Sequence, residues 1–379
     1  MKIALISSPF VEVPPLKYGG TERLVQYLGE KLIELGQNVT LYAPGESSTN
    51  IQLKAICNTA LFNDPTYNHS RDRIKRINKI NERTLELLDR DTDVINIHDY
   101  DNLDLIERIS RTQIQTVVSI GHAINPVIKE IYERFRRNYP TIHFHGLSRN
   151  QLQSLDPSLP FIYNGIDIRT YDDKNMFFPR QPYFLSIGDM KPIKGHKTAI
   201  KLAREAHLDL VIAGAPYYPE SKPYFEENVL PEIDLNTSGQ KSQFLEDIKT
   251  GRLTFGNGKV IYFGSASDDE KKILYQHATC MQFLGSLEVS GNIEACPITI
   301  LESILSGTPV LGVKGSVTTE LVEDDKTGYN VSSIVEAGEI LKKIGKLDSL
   351  SIRTEGVKRF SSYRMAKDYL DLFKQILAN

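Results

Sequence analysis

Two series of short apolar runs, each run alternating with an amphipathic helical stretch, follow one another along the chain. In the first series KIALISS (Lys2 to Ser8), NVTLYA, DVINIHD, QTVVSIGH, IHFHGLS and FIYNGID end in or near Gly, Asp, His or Ser, which predicts strands. Between the first two, TERLVQYLGEKLIELG places Leu24, Val25, Leu28, Leu32 and Leu35 on one helical face and stops at Gly36. The second series offers YFLSIGD, LDLVIAG, KVIYFGS, TCMQFLG, TPVLGV and TGYNV, separated by helices that include HKTAIKLAREAH and DDEKKILYQHA, the latter capped by Asp268. Strands alternating with helices imply a parallel sheet covered on both faces, because a parallel strand is reached only through a long crossover. Two such series in 379 residues imply two doubly wound α/β domains, since one core does not grow that large.

The pattern breaks into polar, Pro-containing sequence from Asn164 to Pro182, which puts a first domain at 1–165 and a second at 181–355. The remainder, 356–379, contains RFSSYRMAKDYLDLFKQIL, an amphipathic helix with Phe360, Tyr363, Leu370, Phe373 and Leu377 on one stripe. No strand follows it, so it is expected to dock back on the first domain. Leu235 to Gly258 is polar and is expected to be an irregular surface insertion.

A net charge of -3 with 25% charged residues gives no reason to expect a nucleic-acid partner. No segment approaches the roughly 20 apolar residues that span a bilayer, and MKIALISSPF is only a short apolar start, so a cytoplasmic protein is expected. Cys57, Cys280 and Cys296 are too few and too scattered for a disulfide framework or a metal cage and read as buried thiols.

The stretch GNIEACPITILESILSGTPVLGV carries two carboxylates, Glu294 and Glu302, around an otherwise apolar helix and strand. Pro297 suits a first helical position and Gly307 a residue just past the end, which predicts a helix from Pro297 to Ser306. Glu294 then lies ahead of the helix amino terminus and Glu302 just over one turn in. Unpaired N–H groups and the positive end of the helix dipole lie between them, a place suited to a ligand with phosphate and hydroxyls. A solvated helix-start glutamate plus a surface glutamate is the alternative.

Ligands of open α/β sheets bind beyond the carboxyl ends of the strands, so the residues there are the candidates. In the first domain they include His98, Asp99, His122, Ser148 and the Gly19-Gly20 pair, ahead of a helix that Thr21 can cap; in the second, Asp189 to Gly195, Gly214 and Gly264. His122 has either a sugar hydroxyl or a backbone carbonyl as its partner. His98, His143 and His145 have no spacing that fits a metal.

The chain resembles the retaining, nucleotide-sugar-dependent glycosyltransferases with two facing Rossmann-like domains, the GT-B fold, and particularly glycosyltransferase group 1, or family 4. The likeness runs through YGGTERLVQYLGEKLIELGQNVTLYAPG, IGHAINPVIKEIYERF, YNGID, FLSIGDMKPIKGHKTAIKLA, VIYFGSASDDEKKILYQHA and EACPITILESILSGTPVLG, the last similar to the family's Glu-x7-Glu motif. The resemblance implies a nucleotide-diphosphate sugar as co-substrate, no cofactor and no metal, and transfer of a hexosyl group with retention to an acceptor hydroxyl. It implies that Glu294 holds the donor sugar's hydroxyls, Glu302 accepts from the ribose, and the amides of Ile298 and Thr299 meet the diphosphate. His122 would contact the sugar, Gly20 would lie against the donor phosphate, Lys194 would neutralise the leaving diphosphate, and Gly264 and Asn292 would complete the donor side. The first domain would take the acceptor and the second the donor.

Two departures stand out. Where the family has Gly-Arg before Lys-Gly, this chain has Gly188-Asp189, replacing a phosphate-binding cation by an anion; either Lys191 substitutes or Asp189 turns away. Pro297 replaces a common glycine and removes one N–H. A relative that binds a nucleotide-sugar with weak or lost transfer is therefore the second reading, and another enzyme on the same paired-domain fold the third. The DTD at Asp91 to Asp93 precedes a buried strand and reads as a turn. The acceptor, a glycan or a lipid-linked molecule, has no legible pattern. RDRIKRINKINER, with six basic and two acidic residues, is either a solvated helix face or a peripheral contact with anionic lipid on the inner membrane face.

Overall fold

The computed structural model describes residues 1–16, 19–67, 72–171, 179–289 and 294–378. It divides into two compact units, Met1–Gly165 with Ser362–Asn379, and Ile166–Ser361. In the first, β1 (Lys2–Ile6), β2 (Asn38–Pro44), β3 (Gln52–Cys57), β4 (Val94–Ile97), β5 (Gln115–Ser119) and β6 (Ile142–His145) form a parallel sheet in the order β3-β2-β1-β4-β5-β6. In the second, β7 (Gln181–Ile187), β8 (Asp209–Ala213), β9 (Leu235–Asn236), β10 (Val260–Gly264), β11 (Ala278–Gln282), β12 (Val310–Val313) and β13 (Gly328–Val331) run β13-β12-β11-β7-β8-β10-β9, again all parallel. Both orders reverse beside the first strand of the unit, which opens a crevice at the carboxyl ends of β1 and of β7.

The central strands are buried on both faces, hence their unbroken apolar runs. β3 is an edge strand whose QLKAIC mixes exposed and half-buried residues with one buried residue, so it carries no such run and sequence reading missed it. FIYNGID was expected to be a strand. It contributes only isolated bridges, Gly146 with Phe161 and Ile166 with Ser361, because the chain leaves the first unit there. The segment from Leu235 is not irregular: β9 adds to the sheet edge and a helix, Lys241–Thr250, buries Phe244, Leu245 and Ile248. Three apolar residues at helical spacing suffice to hold an otherwise polar stretch on a core.

Most of the stretch read as a linker belongs to the second unit, which begins at Ile166. The C-terminal helical region is two helices, Ser349–Phe360 and Ser362–Ala378, and only the second packs on the first unit. The expected stripe needs correction. Phe360 ends the earlier helix, Tyr363 and Leu377 are exposed, and the buried face is Met365, Ala366, Tyr369, Leu370, Phe373 and Ile376. Tyr369 decides the rotation: its hydroxyl meets Ser119 Oγ at 3.2 Å and its ring lies edge-on to His145, centroids 5.0 Å apart. Ser119 in turn accepts from Asn96 and pairs with His145 Nε2 at 2.7 Å, so a buried polar chain fixes where the helix sits. Burial holds His98 down to about 3 and His145 to about 4, well under the usual imidazole value, so both are neutral.

Cys280 and Cys296 are buried thiols and Cys57 is half-buried. Asp91 pairs with Lys2 and Asp93 accepts from the Lys2 N–H at 2.7 Å, so the DTD stretch closes a turn onto β1. Among the described residues no helix is long and apolar enough to cross a membrane.

Candidate functional site in the second unit

At the carboxyl end of β7 the chain turns through Gly188 and Asp189 into a short 3-10 turn, Pro192–Lys194, and then the helix His196–Ala206. A buried polar network sets this turn. His196 Nε2 donates to the Asp189 carbonyl at 3.0 Å and its Nδ1 accepts from Ser186 Oγ at 2.6 Å; Ser186 accepts from Gln282 Nε2 at 2.5 Å. Gln282 also donates to the Lys194 carbonyl at 3.3 Å, so the ends of β7 and β11 are tied across the sheet crevice. Burial lowers the His196 pKa to about 4, which keeps the ring neutral and able to accept at Nδ1. The backbones also approach closely: a Cβ on Gly285 would lie 1.8 Å from the Ile193 carbonyl oxygen, so only glycine fits there.

This scaffold presents Lys194. Its ammonium lies 2.5 Å from Glu294 Oε1, with the two side chains 12% and 21% exposed, and it also sits 5.6 Å from the Phe283 ring centroid. Glu294 precedes the helix Ile298–Leu305. Pro297 is the N-cap of that helix, extended at φ -61 and ψ 121, and not its first helical residue as expected. The first turn of any helix leaves N–H groups without intrahelical partners, here those of Ile298 and Thr299. The Thr299 hydroxyl is buried and, among the described residues, has no hydrogen-bond partner. A buried hydroxyl beside first-turn amides and the positive helix end makes a place suited to an anion.

Glu302 is 3% exposed and far from solvated. Lys271 Nζ stands 2.5 Å from its Oε1, and the Tyr275 hydroxyl donates to its Oε2 at 3.1 Å. Lys271 belongs to the helix Asp268–His277, which starts right after β10; its cap is Ser267 in a capping box with Glu270, and not Asp268 as expected. Gly264, the last residue of β10, has φ 78 and accepts the Gly214 N–H at 2.8 Å, so it shapes the neighbouring strand end.

Asp189 is 1% exposed and turned inward. Its carboxylate accepts from the Met190 N–H at 2.9 Å, the Tyr217 N–H at 3.2 Å and Ser221 Oγ at 2.9 Å. Lys191 Nζ lies 3.1 Å from it, 3.5 Å from Glu220 and over the Tyr218 ring. Of the two sequence alternatives, the carboxylate has turned away, and Lys191 is committed to it. Asn292 lies outside the described residues.

In the first unit Gly20 opens the helix Gly20–Glu34 and Gly19 is its N-cap; Thr21 lies inside the helix and does not cap it, correcting the expectation. Glu22, which sequence reading passed over, is buried in the first turn, where desolvation pushes its carboxyl up to about 7. His122 is exposed just past the carboxyl end of β5. The Tyr100 hydroxyl meets its Nδ1, and Gln151 Nε2 donates to its carbonyl at 2.6 Å. Burial raises the Tyr100 pKa, so the phenol stays protonated beside the imidazole. Among the described residues no group of three or more His, Cys, Asp or Glu side chains is arranged to hold a metal ion.

Two parallel α/β units of this kind are the architecture of a class of solved glycosyltransferases. Solved structures of that architecture superimpose on the whole chain. AviGT4, a glycosyltransferase involved in avilamycin A biosynthesis, matches with a TM-score of 0.67 and 20% identity, covering 100% of this chain and 98% of that one. HepE of Anabaena, solved in complex with UDP and glucose, matches at 0.68 with 13% identity over 99% of each chain. The sucrose-phosphate synthase of Thermosynechococcus elongatus matches at 0.69 with 15% identity, covering 100% and 99%. These likenesses establish the fold. The family described as "Glycosyl transferases group 1" matches residues 167–363, and the chain belongs to that family. The alpha-1,3/1,6-mannosyltransferase ALG2 of Dictyostelium discoideum is 23% identical over 233 residues, 60% of this chain and about half, 51%, of that protein.

Proposed function

We propose that the protein transfers a hexosyl group from a nucleotide-diphosphate sugar to an acceptor hydroxyl, with retention of configuration and without a metal. The second unit takes the donor and the first the acceptor. The observation that carries this reading is the Lys194–Glu294 contact at 2.5 Å beside the Ile298–Leu305 helix start, with the buried Thr299 hydroxyl next to it. A cation, an acceptor of sugar hydroxyls and a helix amino terminus converge there, and a nucleotide-sugar needs all three.

In this reading the diphosphate settles on the Ile298 and Thr299 amides and on Lys194, which lets go of Glu294. Glu294 then accepts from the sugar hydroxyls and Glu302 from the ribose, with Gly264 at the nucleoside side. In the first unit, Gly20 is the candidate for a phosphate contact and His122 for a sugar hydroxyl. As the glycosidic bond breaks, charge gathers on the leaving diphosphate, where Lys194 and the helix dipole stabilise it. The departing phosphate oxygen takes the proton of the incoming acceptor hydroxyl on the same face, which accounts for retention. The inward Asp189 puts no negative charge on the ligand but supplies no cation either, and that is the one observation favouring the second reading, a nucleotide-sugar binder with weak transfer.

The test is a panel of nucleotide-sugars followed for slow donor hydrolysis, with and without chelator. Release of nucleoside diphosphate supports transfer; tight binding without release supports the binder. Glu294→Gln should abolish release and leave nucleoside diphosphate affinity intact, whereas Glu302→Gln should weaken that affinity by about 1 to 3 kcal/mol. Calorimetric titrations giving the opposite order reject the assignment, and an inverted anomer in the product rejects retention. A lipid-linked acceptor would account for the exposed Ile74, 78% accessible within the basic helix Arg73–Leu87; sedimentation with anionic vesicles at low salt tests that contact.

A further inference from the structure

We infer that Lys271 is a nucleotide-contacting residue, gripping the ribose diol together with Glu302. The inference rests on the donor reading of the second unit and names a residue that reading does not require.

Glu302 is held from two sides. The Tyr275 hydroxyl, from a wholly buried side chain, reaches Oε2 at 3.1 Å, and Lys271 Nζ reaches Oε1 at 2.5 Å. The two covers differ in access: the Lys271 side chain is 15% exposed against 3% for Glu302, and its ammonium also contacts Asp268 Oδ1 at 3.0 Å. A ligand reaching Glu302 from solvent therefore meets Lys271 first. The pair offers an acceptor and a donor side by side, and a cis-diol, each hydroxyl both donor and acceptor, satisfies both at once. An ammonium that exchanges its contact with Glu302 for a ribose oxygen stays paired through Asp268.

The position relative to the other lysines supports this assignment. Lys191 is committed to Asp189 and Glu220, and Lys194 stands with Glu294 at the end of β7. Lys271 stands one helical turn or more from the Ile298 amide, beside Glu302 in the second turn of that helix, and so at the nucleoside end. The bland role, neutralising a buried carboxylate, predicts something different: its loss would affect every ligand alike.

The experiment measures the affinity of UDP, GDP and ADP, then of the 2′,3′-dideoxy analogue of whichever binds best. Lys271→Met should weaken the ribonucleotide about tenfold or more, as expected for a charge-assisted hydrogen bond, and leave the dideoxy analogue nearly unchanged. Lys272→Met, the neighbouring control, should alter neither. The Lys271→Met/Glu302→Gln double variant removes the buried charge pair as a unit and should lose little more than either single variant. Equal weakening of both analogues, no weakening, or additive losses in the double variant overturn the inference. A parent protein that binds no nucleoside diphosphate would instead overturn the donor reading.

Discussion

Replacing Asp189 by alanine should lower the stability of the Ile166–Ser361 unit severely, and the size of the loss follows from its contacts. The carboxylate accepts three hydrogen bonds, at 2.9, 3.2 and 2.9 Å, from Met190, Tyr217 and Ser221. Met190 and Ser221 are fully buried, so truncation strands the Met190 amide and the Ser221 hydroxyl at roughly 1 to 3 kcal/mol each, whereas the Tyr217 amide keeps the Ala215 carbonyl. Lys191 loses a partner 3.1 Å away but keeps Glu220 and the Tyr218 face and is 29% exposed, so its share is small. The sum is about 2 to 6 kcal/mol, which in a unit of this size lowers the melting midpoint by roughly 5 to 20 °C. Asp189→Asn, which keeps the shape and one acceptor, should lose about half of that. Asp189→Arg should fare worst, since a guanidinium has no room in a site 1% exposed. Scanning calorimetry with the two units' transitions resolved measures all three. An Asp189→Arg protein that melts with the parent and binds nucleoside diphosphate more tightly would refute the reasoning, because it would place residue 189 on the ligand and not beneath it.

Gly285→Ala should displace the turn that carries Lys194, since the added methyl would lie 1.8 Å from the Ile193 carbonyl oxygen; nucleoside diphosphate affinity should fall with it, and an unchanged affinity would detach Lys194 from the site. The first unit's stability should be nearly flat between about pH 4.5 and 6.5, because two opposed effects overlap there. Buried His98 and His145, with folded values of about 3 and 4, take up protons only on unfolding in that window, so the stability they carry above roughly pH 6.5 is lost on acidification. Glu22 and Asp99, both raised to about 7 mainly by desolvation, hold protons only when folded, so their contribution is greatest below roughly pH 4 and is lost as pH rises toward 7. Glu22→Gln should therefore unmask a decline on acidification and His98→Gln a decline on alkalinisation, each up to about 1.4 kcal/mol per pH unit; melting profiles of both variants that stay parallel to the parent's would contradict the pairing.

Much of the fold was legible because central parallel strands must be apolar along their whole length, and the helices between them on one face only. KIALI and LVIA have no other place to go than the middle of a sheet. The elements that escaped, β3 and the Lys241–Thr250 helix, are half-covered, and half-covered segments have compositions that also suit loops. The rotation of the C-terminal helix escaped as well. Tyr363 and Phe373 are both aromatic in sequence, and the choice between them was made by the Tyr369 hydroxyl finding Ser119 on a strand far away in the chain.

At the site, the spacing of Glu294 and Glu302 around Pro297 was enough to place one carboxylate ahead of a helix and one on it, because helix geometry is local. What those carboxylates touch was not local. Lys194 reaches Glu294, and Lys271 with Tyr275 closes on Glu302, only because the sheet sets the ends of β7, β10 and β11 near one helix start. Asp189 is the sharpest case. As a letter in the sequence it is a charge reversal at a phosphate-binding position; in the folded unit it is a buried acceptor for Tyr217 and Ser221, because a carboxylate's direction is decided by which donors surround it. Residue type and spacing thus determined the elements and the chemistry available at each strand end, and the three-dimensional packing alone decided which of those charges face a ligand and which face one another.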